Sequence, residues 1–124
     1  RVETSVTMMS WVRFLDGRFA ADGQSIPALI SWSADGTSWE SRSSGIFEVV
    51  NDVAAGDGAL VAVGDWGGPI FLSQDGGATW IPRRTRVIAS NLYGVGTSRA
   101  GLVGVGELGG AVLSEDAGRT WTLV

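Results

Sequence analysis

The residues most able to do chemistry in this chain are acidic, and they recur at intervals. Asp35, Asp75 and Asp116 each follow a serine by two residues and precede a tryptophan by four or five. Asp65 and Glu107 form a second set, each placed directly after a glycine that closes an apolar run. Paired carboxylates are what glycoside hydrolysis requires, one as acid and the other as base or nucleophile. Trp66, next to Asp65, offers an aromatic face for a sugar ring or an anchor for a protein partner. Arg83, Arg84 and Arg86 supply guanidinium groups suited to carboxylates on a partner. Each set also has a purely structural reading. Acidic loop residues are ordinary, Trp66 can pack over the glycines of its own loop, and an arginine run is commonly a solvated loop.

Composition removes other chemistries. The 124 residues include no cysteine and no histidine, so disulfides, thiol nucleophiles, imidazole bases and nearly every zinc or copper site are excluded. No metal and no cofactor is expected. Nine basic against thirteen acidic residues leave a net charge of −4, which gives no general attraction to nucleic acid or anionic lipid. No apolar run approaches the roughly 20 residues needed to cross a bilayer as a helix. The start Arg1-Val2-Glu3-Thr4 has neither an initiator methionine nor a signal-peptide core, so a mature, trimmed or excised product is expected.

The elements that position these groups are legible from a repeat. Ser33-Ala34-Asp35-Gly36-Thr37-Ser38-Trp39 returns as Ser73-Gln74-Asp75-Gly76-Gly77-Ala78-Thr79-Trp80 and as Ser114-Glu115-Asp116-Ala117-Gly118-Arg119-Thr120-Trp121, with the tryptophans 41 residues apart both times. Upstream, Phe19 to Gly23, Leu60 to Gly64 and Leu102 to Gly106 align, and Val12, Val53 and Val95 fall in register. Each unit offers four short strand-like runs: an inner one, the apolar run, a third leading into the serine, and a fourth beginning at the tryptophan. Four strands in about 41 residues make one β-propeller blade. The apolar runs are nearly continuous rather than alternating, as expected for a sheet covered on both faces. The fold class is therefore all-β, with three four-stranded antiparallel blades in a single domain over residues 1–44, 45–85 and 86–124. Helix-pair solenoids lack support in the periodicity, and WD repeats carry a Gly-His signature that a chain without histidine cannot have.

The repeated motif has a mechanical role that needs no catalysis. Its aspartates can accept backbone amides of their own turn and close the hairpin between strands three and four. Glycines such as Gly36, Gly77 and Gly118 supply positive φ. Thr79 and Thr120 add a second local bond, and Trp39, Trp80 and Trp121 bury apolar surface where the turn meets the blade. Ser33, Ser73 and Ser114 complete the structural set.

The motif resembles the Asp box of the bacterial neuraminidase repeat family, in three copies covering the whole chain. The first copy is one residue short, which predicts a tighter or irregular turn. Val61-Ala62-Val63-Gly64-Asp65-Trp66-Gly67-Gly68-Pro69-Ile70-Phe71-Leu72-Ser73 is most similar to blades of the photosystem II assembly and stability factors. Other Asp-box propellers are sialidases, xyloglucan-degrading glycosidases and sortilin-type receptors. Sialidase resemblance would imply three arginines for the substrate carboxylate, a Tyr and Glu nucleophile pair and an Arg-Ile-Pro motif. Here Ile81-Pro82-Arg83 has those types in another order, and Tyr93 has no assigned glutamate.

In this architecture the Asp-box turns lie on one face, and the loops between strands two and three and between blades lie on the other, the usual ligand face. That second face is expected to carry Asp22, Gln24, Asp65, Trp66 and Glu107, with Arg42, Arg83, Arg84 and Arg86 from the blade-to-blade loops. The leading expectation is a non-enzymatic scaffold, extracytoplasmic (periplasmic or secreted), that binds a protein partner or assembles a complex. The alternative is a carbohydrate-binding or glycoside-hydrolase module, with Trp66 stacking on the glycan and Asp65 and Glu107 as polar contacts. Propellers usually have four to eight blades. Three blades therefore imply either a piece of a longer propeller or a homo-oligomer, with a dimer giving a six-bladed ring.

Overall fold

The computed structural model describes residues 10–22, 26–46, 49–65, 70–83, 91–107 and 110–124. Among them every regular element is a strand, and no helix is long and apolar enough to cross a membrane. The twelve strands form three antiparallel sheets of four, each in sequential order. The first holds β1 (Trp11–Leu15), β2 (Arg18–Asp22), β3 (Leu29–Ser33) and β4 (Glu40–Ser43). The second holds β5 (Val50–Gly56), β6 (Ala59–Gly64), β7 (Ile70–Ser73) and β8 (Ile81–Arg83). The third holds β9 (Leu92–Ser98), β10 (Gly101–Gly106), β11 (Ala111–Ser114) and β12 (Thr122–Leu123). These are β-propeller blades, as the repeat predicts, and the fourth strand of each begins one residue after the box tryptophan.

The core lies between sheets, not within them. One apolar cluster joins Ala20, Ile30 and Trp32 of the first blade to Val50, Val53, Leu60 and Ala62 of the second. A second joins Val61, Val63, Ile70 and Leu72 of the second blade to Leu92, Val95, Leu102, Val112 and Trp121 of the third. Strand β6 is thus sandwiched, and its residues from Ala59 to Val63 are all buried. Strand β10 has nearly the same sequence yet alternates in burial, because only one of its faces meets a neighbour.

The inner strands are stapled across the blades. The Trp11 indole donates to the Val50 carbonyl at 3.0 Å. Arg13 makes a two-pronged contact with Asp52, at 2.7 and 2.6 Å. The same carboxylate accepts the Val53 amide at 2.9 Å and the Val95 amide of the third blade at 3.1 Å. Asp52 therefore ties all three blades, and its hydrogen bonds, together with its charge, hold the Arg13 guanidinium above its ordinary pKa.

Candidate functional site

The aspartates of the repeated turn are consumed by the turn itself. In the second blade the Ser73 hydroxyl donates to Asp75 Oδ1 at 2.8 Å and accepts the Gly77 amide at 2.9 Å. Asp75 Oδ1 accepts the Thr79 amide at 2.8 Å, Thr79 Oγ1 donates to Oδ2, and the Trp80 indole donates to the Gly77 carbonyl at 3.2 Å. The third blade repeats every bond with Ser114, Asp116, Gly118, Thr120 and Trp121. In the first, shortened copy two amides, from Thr37 at 2.9 Å and Ser38 at 3.0 Å, donate to Asp35 Oδ1, and the Thr37 side chain also bonds the carboxylate. The Trp39 indole still reaches the Gly36 carbonyl three residues back, at 3.0 Å, so the missing residue is absorbed between the aspartate and the glycine.

These bonds favour the ionised carboxylate. The Thr79 hydroxyl and amide lower Asp75 to a pKa of about 2, and Thr120 does the same for Asp116. The Ser38 and Thr37 amides also hold Asp35 well below the ordinary range. A general acid or base needs a pKa near its working pH, and these groups sit far from it. Asp35 and Asp75 are exposed, so these acceptors face solvent. The ring burial is also uneven, with Trp121 buried but Trp39 and Trp80 half-buried.

At the opposite end of the inner strands a second constellation is built by glycine. A side chain at Gly64 would meet the Val49 carbonyl oxygen at 1.8 Å, and one at Gly106 would meet that of Asn91 at 2.0 Å. This close approach lets the next residue's amide bond the same carbonyl, Asp65 to Val49 at 3.2 Å and Glu107 to Asn91 at 3.1 Å. Both carboxylates are therefore planted at the mouth of an inner strand, beside an irregularity in the register of the β5–β6 and β9–β10 pairs. Asn51 holds Asp65 Oδ1 at 2.7 Å and reaches the Leu92 carbonyl of the next blade at 2.9 Å. In the third blade Asn91 Nδ2 and the Tyr93 hydroxyl both donate to Glu107 Oε1, at 2.9 and 2.6 Å.

Asp65 and Glu107 thus share one rim that crosses from the second blade to the third. The hydrogen bond to Glu107 raises the Tyr93 pKa, and the charges of Glu107 and Asp65 add to the effect. Tyr93, to which the sequence assigned no glutamate, has Glu107 as its partner, and it sits opposite the register irregularity of the β9–β10 pair. Asp22, expected on the loop face, is instead fully buried at the end of β2. Arg83 is exposed on β8, the outermost strand, three strands away from β5. Arg42 is exposed on β4 and pairs with Glu40 at 3.4 Å. Gln24, Trp66, Arg84 and Arg86 lie outside the described residues. Among the described residues no acidic cluster capable of holding a metal is present.

Sequence reasoning missed Asn51, Asn91 and the Arg13–Asp52 contact. The alignment of Asp65 with Glu107 held the signal for the two asparagines, since both flank the inner strand's entry. Nothing in the spacing pointed to Arg13, whose partner lies 39 residues away in another blade.

Chemically, the rim presents acceptors, two carboxylates that among the described residues are in no ion pair, beside an exposed tyrosine. It suits ammonium, guanidinium, amide or hydroxyl donors and repels anions.

No family model and no curated protein matches the sequence. The structure is similar to the solved structure described as "YCF48 bound to D1 peptide", with a TM-score of 0.78 at 17% identity. The match covers 99% of this chain and 42% of that one, so the chain spans less than half the length of the solved propeller. At this identity the likeness establishes the fold, a set of propeller blades.

Proposed function

We propose that the chain is a non-enzymatic propeller scaffold that binds an extended segment of a protein partner at its loop-end rim. The observation that carries this reading is the equivalent placement of Asp65 and Glu107 on adjacent blades, with Tyr93 between them and open to solvent. Carboxylates one blade apart can each take a donor from successive parts of one peptide, and Tyr93 supplies rigid apolar area at small entropic cost. The similar solved structure, which holds a peptide, supports the same use of the architecture.

The rim's charge specifies the test. A lysine- and arginine-containing peptide should bind more tightly than its glutamate-substituted counterpart, with affinity that weakens as salt rises. Asp65→Asn and Glu107→Gln should each lower affinity about tenfold, in line with roughly 1.4 kcal/mol for a charge-assisted contact. Unchanged affinity in the double variant would refute the assignment of the rim.

The Tyr93–Glu107 hydrogen bond gives the carbohydrate reading one specific support, because a tyrosine beside a glutamate resembles a sialidase nucleophile pair. The raised tyrosine pKa opposes attack by a phenolate. A glycan array with matched hydrolysis assays separates the two readings. Hydrolysis that disappears in Tyr93→Phe would favour the second.

A further inference from the structure

The three blades contact one another by the same device, and the device is left half-assembled at both ends of the row. In the second and third blades the box glycine that accepts the indole bond is buried against the preceding blade. A side chain at Gly77 would meet the Trp32 ring at 2.5 Å, and one at Gly118 would meet Val61 at 2.6 Å and Leu72 at 3.3 Å. Gly36 makes the same bonds within its own turn, has φ +81°, and meets only Phe19 of its own blade. It is exposed where Gly77 and Gly118 are buried.

The receiving surface is also repeated. Strand pairing aligns Val61, Val63 and Leu72 of the second blade with Val103, Val105 and Leu113 of the third. The first three are fully buried beneath the third blade, whereas Val105 is 49% exposed and its two companions are half-buried. On the opposite side of the row, Val12 and Phe14 are 59% and 62% exposed, although the aligned Val53 is buried under the first blade.

We infer that the open face of the third blade is an interaction surface for the first blade of a second copy of this chain, joined head to tail. The occupant follows from continuity with the two contacts already present. The third blade presents the valine and leucine positions that receive a box glycine, and the first blade presents a box glycine and Val12 in the positions that such a contact buries, with Phe14 at the edge position held by Ala55 and Thr97 in the other blades. A head-to-tail contact remains finite only if its rotation closes. Two copies close six blades, within the usual range, and three would make nine, outside it.

The chain lacks cysteine, which makes the contact directly testable by cross-linking. In the existing contact Thr97 of the third blade donates to the Ala55 carbonyl of the second. Phe14 aligns with both residues, so at the new contact Phe14 of one copy would lie against Thr97 of the other. The 124-residue chain should sediment at twice its 12.9 kDa mass at tens of micromolar, and dissociate on dilution. A mixture of Phe14→Cys and Thr97→Cys chains should form the mixed disulfide at least tenfold faster than either variant alone. Val105→Glu should abolish the dimer and leave the far-ultraviolet circular dichroism of the blades unchanged. A folded chain of single mass at 100 μM would overturn the inference, whether the face stays open or residues 1–9 cover it. So would self-cross-linking of Val105→Cys in preference to the mixed pair, because that outcome means like faces meet.

Discussion

The box carboxylates are held ionised by their own turn, and this gives the chain an acid-sensitive element. Asp75 and Asp116 have pKa values of about 2 in the fold against an ordinary 3.8. A depressed folded pKa contributes stability that is fully present above the unfolded value and is lost as pH falls through the folded one. The melting temperature should therefore be flat above pH 5 and fall between about pH 4 and pH 2. The double variant Asp75→Asn, Asp116→Asn should start lower at pH 7 and show a shallower fall over the same window, measured by thermal melts in parallel buffers. At the same scale, Trp121 is buried and Trp80 only half so. Trp121→Ala should cost about 3 to 5 kcal/mol, and Trp80→Ala clearly less. Equal losses in urea titrations would mean that both rings bury alike.

At the scale of elements, the box turn closes its own hairpin and also provides the surface on which two blades meet. Gly118 combines φ +90° with a contact that leaves no room for a methyl group beside Val61. Gly58, in the tight turn between β5 and β6, shares a positive φ of 79° but faces open space. Alanine at Gly58 should cost only the backbone strain, about 1 to 2 kcal/mol. Alanine at Gly118 should add an overpacking penalty of about 1 to 3 kcal/mol. Comparing the two variants by chemical denaturation isolates the part of the turn's stability that belongs to the contact between blades. The inner strands add polar staples to this apolar packing, of which Asn51 bridging Asp65 and Leu92 is one.

For the molecule as a whole, Asp52 is a side chain on which the three blades converge. It is buried, while its partner Arg13 is about half exposed. Asp52→Ala removes an acceptor from the Val95 amide and leaves a guanidinium beside an apolar seam. A fully buried pair broken in this way costs about 3 to 5 kcal/mol, and solvent on Arg13 reduces the expectation to roughly 2. Because the contact joins blades, the loss should appear as one cooperative transition at lower denaturant. A second, separate transition for one blade would show that the row is held together mainly by its apolar clusters.

Spacing alone was enough to place most strands. The period of 41 residues, the apolar runs and the glycine-rich turns are local signals, and strand formation with hairpin closure is a local event. The alignment of Asp65 with Glu107 was equally legible, since each follows a glycine at the end of an apolar run. What the linear chain could not convey was which copy of a repeated residue would be covered. Val53 and Val12 occupy the same register, yet one is buried and the other open, and Gly77 and Gly36 differ in the same way. The Tyr93–Glu107 bond, opposite an irregular strand register, and the Arg13–Asp52 contact, with a neighbouring blade, were likewise decided by tertiary structure. A repeat writes the same residue at each copy, but burial and pairing depend on the neighbour each copy meets, and neighbours are a property of the assembled sheets.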